Sequence, residues 1–149
     1  MFPAIAELIP HRERMLLVDR VLSFEGDTVV AELTVRDDPL FCRDGLVGSW
    51  VGLEYMAQTV GAMIGLMARE RDEPVKIGLL LGTRRFSAQE PAFRAGQTLR
   101  VEATQAFIAD NGLAAFDARI FDQDRVLAEA TLSAFQPEDV QAFLREVEA

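Results

Sequence analysis

The stretch at residues 48–68, GSWVGLEYMAQTVGAMIGLMA, decides how the rest of the chain is read. It is the longest apolar run, and it carries one carboxylate, Glu54, with Gln58 four residues on. Residues four apart share a helix face, so the two polar groups point the same way. Gly48 and Gly52 have that spacing, as do Ala57, Gly61 and Gly65. Small residues in such a stripe let another backbone come close. No proline interrupts the run, which therefore suits one continuous helix of roughly five to six turns. That length could span a bilayer, but a carboxylate near mid-span is costly in hydrocarbon, and no cluster of positive charge flanks the run. The pattern instead predicts a core helix, apolar on all sides and buried by a sheet. A carboxylate is seldom buried without a partner. Glu54 thus either pairs with an arginine or is kept for chemistry.

Working outward, 149 residues suit a single domain, residues 1–149, with length enough for a real core. Half the residues are hydrophobic and 26% charged, as in an ordinary globule. A net charge of −9 argues against a general nucleic-acid binder. The one cysteine, Cys42, excludes an intrachain disulfide and a Cys-rich zinc site, and no metal or cofactor is expected. The N-terminus, MFPAIAELIPHRER, shows no charged leader followed by an apolar core. A cytoplasmic protein with no membrane partner is the resulting expectation.

In chain order, residues 2–8 suit a short helix between Pro3 and Pro10. Residues 15–24 and 28–35 read as two strands joined at Glu25-Gly26-Asp27. Residues 37–47, DDPLFCRDGLV, read as a loop, and Ser49 as an N-cap of the long helix. The charged residues 69–74 end that helix. Strands are expected at 75–88, with Gly82 at a bulge, and at 98–108, 113–121 and 126–135, followed by a short amphipathic helix from Pro137. Arg84 and Arg85, adjacent on a strand, should face opposite sides. An all-round apolar helix needs a sheet that curls about it. The expected class is therefore α+β: a hot-dog fold, with an antiparallel sheet wrapped around one central helix.

Two local stretches carry a resemblance. LIPHRERMLLVDRV, residues 8–21, resembles the LPHRxPxLLVDRV motif of 3-hydroxyacyl-[acyl-carrier-protein] dehydratases, and LEYMAQ, residues 53–58, is similar to their central-helix xEAMAQ. A looser match joins Arg85, Phe86, Pro91, Gly96 and Leu99 to a later RFxxPxxPGxxL stretch. Within that hot-dog family, the chain looks most like the short dehydratase-like proteins of aryl-polyene and related fatty-acid or polyketide gene clusters.

The resemblance implies dehydration of a 3-hydroxyacyl thioester, borne on acyl carrier protein, to the trans-2-enoyl thioester. A base takes a proton from C2 and an acid protonates the leaving C3 hydroxyl. Glu54 falls on the family's helix carboxylate and Gln58 on its glutamine. Amides at the helix start, around Gly48 and Ser49, would polarise the thioester carbonyl. Trp50 and Phe86 would line the core or an acyl tunnel. The family's catalytic histidine, however, sits in a GHFPxxPxxPG loop, which here reads FCRDGLVGSW and holds no histidine. The only histidine is His11. It is a structural cap, a recruited partner of Glu54, or a surface residue. Arg12 and Asp19 are expected to hold the first strand. Two other readings stand beside the dehydratase: an acyl thioesterase on the same fold, and a non-catalytic partner of an active hot-dog dehydratase. A homodimer, a higher oligomer, or a heterodimer with another hot-dog protein is expected, because a wrapped sheet leaves edge strands uncovered.

Overall fold

The structure is a computed structural model that describes residues 2–72 and 79–135. Its central element is α1, Gly52–Glu70, entered through a single tight turn at Ser49–Val51. The strands are β1 Arg20–Glu25, β2 Thr28–Thr34, β3 Cys42–Arg43, β4 Leu46–Gly48, β5 Leu79–Ala88, β6 Ala92–Arg94, β7 Thr98–Ile108, β8 Leu113–Asp122 and β9 Arg125–Phe135. Six of them form an antiparallel sheet in the order β1-β2-β7-β8-β9-β5, and β3, β4 and β6 form a smaller sheet. The chain has the hot-dog fold, with the large sheet wrapped about α1.

The register explains how the sheet admits a helix. Val29, Ala103, Ala118 and Ala130 are aligned across β2, β7, β8 and β9, and all four are buried. This row of mostly alanine side chains leaves a trough in which α1 lies, packed on the same four strands. Larger buried side chains, Leu33, Leu99, Phe116, Ile120 and Leu132, flank the trough. The opposite face alternates charge across strands. Arg20 pairs with Glu32 at 3.2 Å, Glu32 is registered with Arg100, and Glu102 with Arg119. Such a face suits solvent.

Helix α1 is buried on every side but one. The half-exposed positions are Leu53, Glu54, Ala57, Gly61, Ile64 and Met67, a single stripe at spacings of three and four. Its one carboxylate, Glu54, lies at the N-terminal end. The small-residue spacing is used as the sequence suggested. A Cβ at Gly65 would stand 2.6 Å from the Leu8 carbonyl oxygen, and one at Gly61 would stand 3.1 Å from Ile9 Cγ2. The N-terminal segment therefore lies directly on the helix.

Several expectations are corrected. Residues 15–19 are not strand: a tight turn covers Glu13–Met15 and β1 starts at Arg20. The backbone of Met15, Leu17 and Val18 bonds instead to the Gln58 side chain, which takes it out of any ladder. The loop at 37–47 contains the β3–β4 hairpin, turned by Asp44 and Gly45 at φ 54° and 78°, the positive pair of a two-residue hairpin turn. Ser49 does not cap α1 with its side chain, since the helix begins three residues later. Arg84 and Arg85 are both exposed, because register shifts at Leu80/Gly82 and Thr83/Arg85 break the alternation of β5. The first of these shifts falls at Gly82, the expected bulge. The start of the 75–88 strand and the helix expected from Pro137 lie outside the described residues. Among the described residues, no helix is long and apolar enough to cross a membrane.

Candidate active site

Segment 5–18 builds the site by doubling along α1. Leu8 and Ile9 are buried against the helix glycines. Pro10 then turns the chain outward, and Arg12 fixes that turn by donating from Nη1 to the carbonyls of Ile9 and His11, both at 2.7 Å. Arg14 is held by the Asp38 carboxylate, with Nε 2.9 Å from Oδ2. The segment returns to the helix at Met15, Leu17 and Val18. Asp19 accepts from the Thr34 amide at 2.7 Å and faces Arg36 at 3.6 Å, so Arg12 and Asp19 hold the entry to β1 as expected.

This path brings His11 to Glu54. His11 Nε2 lies 3.2 Å from Glu54 Oε1, and both side chains are about one-third exposed, 32% and 36%. The same oxygen accepts from Gln58 Nε2 at 3.1 Å. Gln58 is fully buried. Its Nε2 also donates to the Met15 carbonyl at 2.7 Å, and its Oε1 accepts from the amides of Leu17 at 2.9 Å and Val18 at 3.2 Å. Its hydrogen-bonding capacity is spent on the protein, so the geometry makes it a brace between helix and segment rather than a group facing a ligand. His11 Nδ1 is buried and, among the described residues, meets no hydrogen-bond partner.

The other candidates lie around this cluster without joining its hydrogen bonds. Gly48 ends β4, and the Trp50 indole folds back on it so closely that a Cβ at Gly48 would clash with the indole Nε1. Trp50 itself is 67% exposed, so within one chain it lines nothing. Phe86 is half-buried at the edge of the core. The Ser49 amide, expected to be open to a thioester carbonyl, donates to the Pro91 carbonyl at 3.0 Å. The β4–β6 ladder pairs Gly48 with Ala92 and simply continues one residue further. Trp50 and Val51 come next, within the tight turn Ser49–Val51 that leads into α1. Cys42 is buried, and its thiol is pushed up first by burial and then by Asp37, which disfavours a thiolate nucleophile. Among the described residues no cluster of His, Cys, Asp and Glu could hold a metal ion.

The sequence matches the ApeP-like family, described as ApeP dehydratase, over residues 3–145. The chain belongs to this dehydratase family. It is 34% identical over 136 residues to the 3-hydroxyacyl-[acyl-carrier-protein] dehydratase FabZ of Chlamydia trachomatis serovar L2, covering 87% of each chain. It is 33% identical over 137 residues to FabZ of Chlamydia pneumoniae, again 87% of each. The dehydratase heterocomplex ApeI:P from Xenorhabdus doucetiae contains a chain of TM-score 0.91 and 27% identity, with full coverage of both chains. A hypothetical thioesterase with coenzyme A from Streptococcus pneumoniae TIGR4 has a TM-score of 0.61 at 15% identity, covering 80% of this chain and 88% of its own; that likeness shows the fold alone. The chain is thus a FabZ-like hot-dog dehydratase, and within it His11 lies against Glu54.

Proposed function

We propose that the chain removes water from a 3-hydroxyacyl thioester on acyl carrier protein to give the trans-2-enoyl thioester, with Glu54 and His11 as its catalytic couple. The observation that carries this reading is the 3.2 Å contact between His11 Nε2 and Glu54 Oε1, on the one open stripe of α1. A carboxylate and an imidazole in contact provide the proton acceptor and donor that the elimination needs. The reaction is redox-neutral and calls for no cofactor. The turn Ser49–Val51 leads into the positive end of α1, where charge developing on a thioester oxygen is favoured.

Among the described residues β1 and β5 end the large sheet; these edges, the half-exposed stripe and the exposed Trp50 support assembly with a second hot-dog chain, either another copy or a partner dehydratase as in the ApeI:P heterocomplex. The test is formation of the enoyl product from 3-hydroxyoctanoyl-[acyl-carrier protein], followed by absorbance and mass. Glu54→Gln should lower turnover by about 10²–10⁴-fold, the range for loss of an acid–base group. Release of free carrier thiol without enoyl product would instead make the chain a thioesterase. Activity that appears only with a second hot-dog protein, and that survives Glu54→Gln, would make it a non-catalytic subunit.

A further inference from the structure

Resting on the reading of Glu54 and His11 as the catalytic couple, we propose that Arg12 is a positioning residue for that couple, acting on turnover only through the place it gives the His11 ring. Segment 5–18 is anchored on α1 at two places. Leu8 and Ile9 are buried against the helix glycines, and Leu17 and Val18 are buried with their amides on the Gln58 side chain. Between these anchors, every residue from Pro10 to Met15 is exposed except the half-buried His11. Packing therefore does not fix the backbone that carries the histidine. One nitrogen does. Arg12 Nη1 donates to the carbonyls of Ile9 and His11, both at 2.7 Å, and these two carbonyls bracket Pro10 and His11. Nη1 carries two N–H groups, and both are used in closing the bracket. The next residue, Glu13, has φ 53°, a left-handed backbone that is costly for a non-glycine residue and persists only where its surroundings hold it. The turn Glu13–Met15 follows at once, with the Met15 amide on the Arg12 carbonyl at 3.1 Å.

The charge of Arg12 is not spent on an ion pair. Arg14 faces Asp38 and Arg36 faces Asp19, whereas Arg12 meets no carboxylate among the described residues. Nor can the contact of His11 with Glu54 hold the turn alone. It spans 3.2 Å between side chains about one-third exposed, and open contacts of this kind contribute little. A hydroxyacyl substrate must meet ring and carboxylate together, and a displacement of about 1 Å in such geometry can cost about 10²-fold in rate. Loss of the guanidinium frees the Pro10–His11 turn and leaves both anchors in place. The damage therefore falls on kcat rather than on the fold.

The test is steady-state turnover of 3-hydroxyoctanoyl-[acyl-carrier protein] by the full-length chain, with thermal melts beside it. Arg12→Ala should lower kcat about 10–100-fold while KM stays within about threefold, and it should melt close to wild type. Arg12→Lys keeps N–H donors on a stem of similar reach and should recover most of the lost kcat. In a His11→Ala background, Arg12→Ala should cost nothing further, because residues that act as a unit are not additive. His11 is the only histidine in the chain, so its ring proton resonances report its placement directly. In the wild type they should shift on Glu54→Gln; with Arg12→Ala in place that shift should vanish. An Arg12→Ala chain with kcat near wild type overturns the proposal, as does one that no longer folds, since the arginine would then serve the fold as a whole. A full additional loss in the His11→Ala background, or a His11 resonance that still senses Glu54 without Arg12, overturns it as well. If the wild type forms no enoyl product, it is the dehydratase reading that fails, and the His11 resonances still decide whether Arg12 places the ring.

Discussion

Gln58 ties Glu54 to the N-terminal segment that carries His11. Its amide receives Leu17 and Val18, binds the Met15 carbonyl and orients Glu54. Gln58→Met has a similar shape and none of these bonds. It leaves two buried amides and one carbonyl without partners, each costing about 1–3 kcal/mol. A loss of at least ~3 kcal/mol is expected in urea unfolding; a midpoint shift worth under ~1 kcal/mol would show that water replaces the brace. Glu54 and Gln58 were legible as one helix face from their spacing, and the family resemblance pointed to both. What the spacing could not give is which way the glutamine turns, because its partners lie some forty residues away in sequence. The arrival of His11 was equally hidden. A lone histidine before a strand carries no signal of its neighbour, and only the doubling of segment 5–18 along α1 supplies it.

Tyr55, one position beyond Glu54 but on the buried side of α1, offers a second test at this scale. Burial pushes its phenol up to about 12, partly offset by the Arg36 guanidinium. In the unfolded chain the same group titrates near ~10. The raised value means that its contribution to stability is full below pH ~10 and is lost as pH rises toward ~12, because the unfolded state gives up the proton first. There is one tyrosine in the sequence, so tyrosinate absorbance follows it alone. Stability should fall across that window, and the absorbance should rise near 12 or with unfolding. A phenolate that forms near 10 in the folded protein would contradict the burial.

At the scale of elements, the contact between α1 and the N-terminal segment depends on two glycines that differ in what they meet. A methyl at Gly65 would strike the Leu8 backbone at 2.6 Å, whereas at Gly61 it would meet only the tip of the Ile9 side chain at 3.1 Å. Backbone cannot move aside without shifting the whole segment that carries His11. Gly65→Ala should therefore cost about 1–3 kcal/mol by overpacking. Gly61→Ala should be close to neutral, since helix propensity returns up to ~1 kcal/mol. Thermal melts of the pair decide it, and equal melting temperatures would mean that segment 5–18 is not seated as described. The glycine spacing announced a close approach, though not of which backbone. Local signals served unevenly elsewhere. The Asp44-Gly45 turn carried a hairpin signal inside a stretch read as loop, because its strands are only two and three residues long. The mostly apolar residues 15–19 read as strand because their hydrophobic pattern fits one, but a side-chain amide took the place of a neighbouring strand.

At the scale of the whole molecule, the fold was readable because one feature dictated it: a long apolar helix among antiparallel strands has few ways to be covered. The covering in one chain is incomplete. Leu53, Ala57, Ile64 and Met67 remain half-exposed on α1, Trp50 stands at its head, and among the described residues β1 and β5 end the large sheet. Open edges and an apolar stripe are surfaces that proteins cover by association, and a stable interface of this kind buries about 800 Å² on each partner. Trp50 is the only tryptophan, which makes its emission a local reporter. On assembly the band should move to the blue as the indole leaves water, and sedimentation at micromolar concentration should give a species larger than 16.5 kDa. Trp50→Ala should weaken that assembly and leave the isolated chain folded, because an exposed indole contributes little to the core of its own chain. A chain that sediments as a monomer throughout, alone and with a hot-dog dehydratase partner, and whose Trp50 emission never shifts, would refute the assembly and leave the catalytic couple to work within one chain.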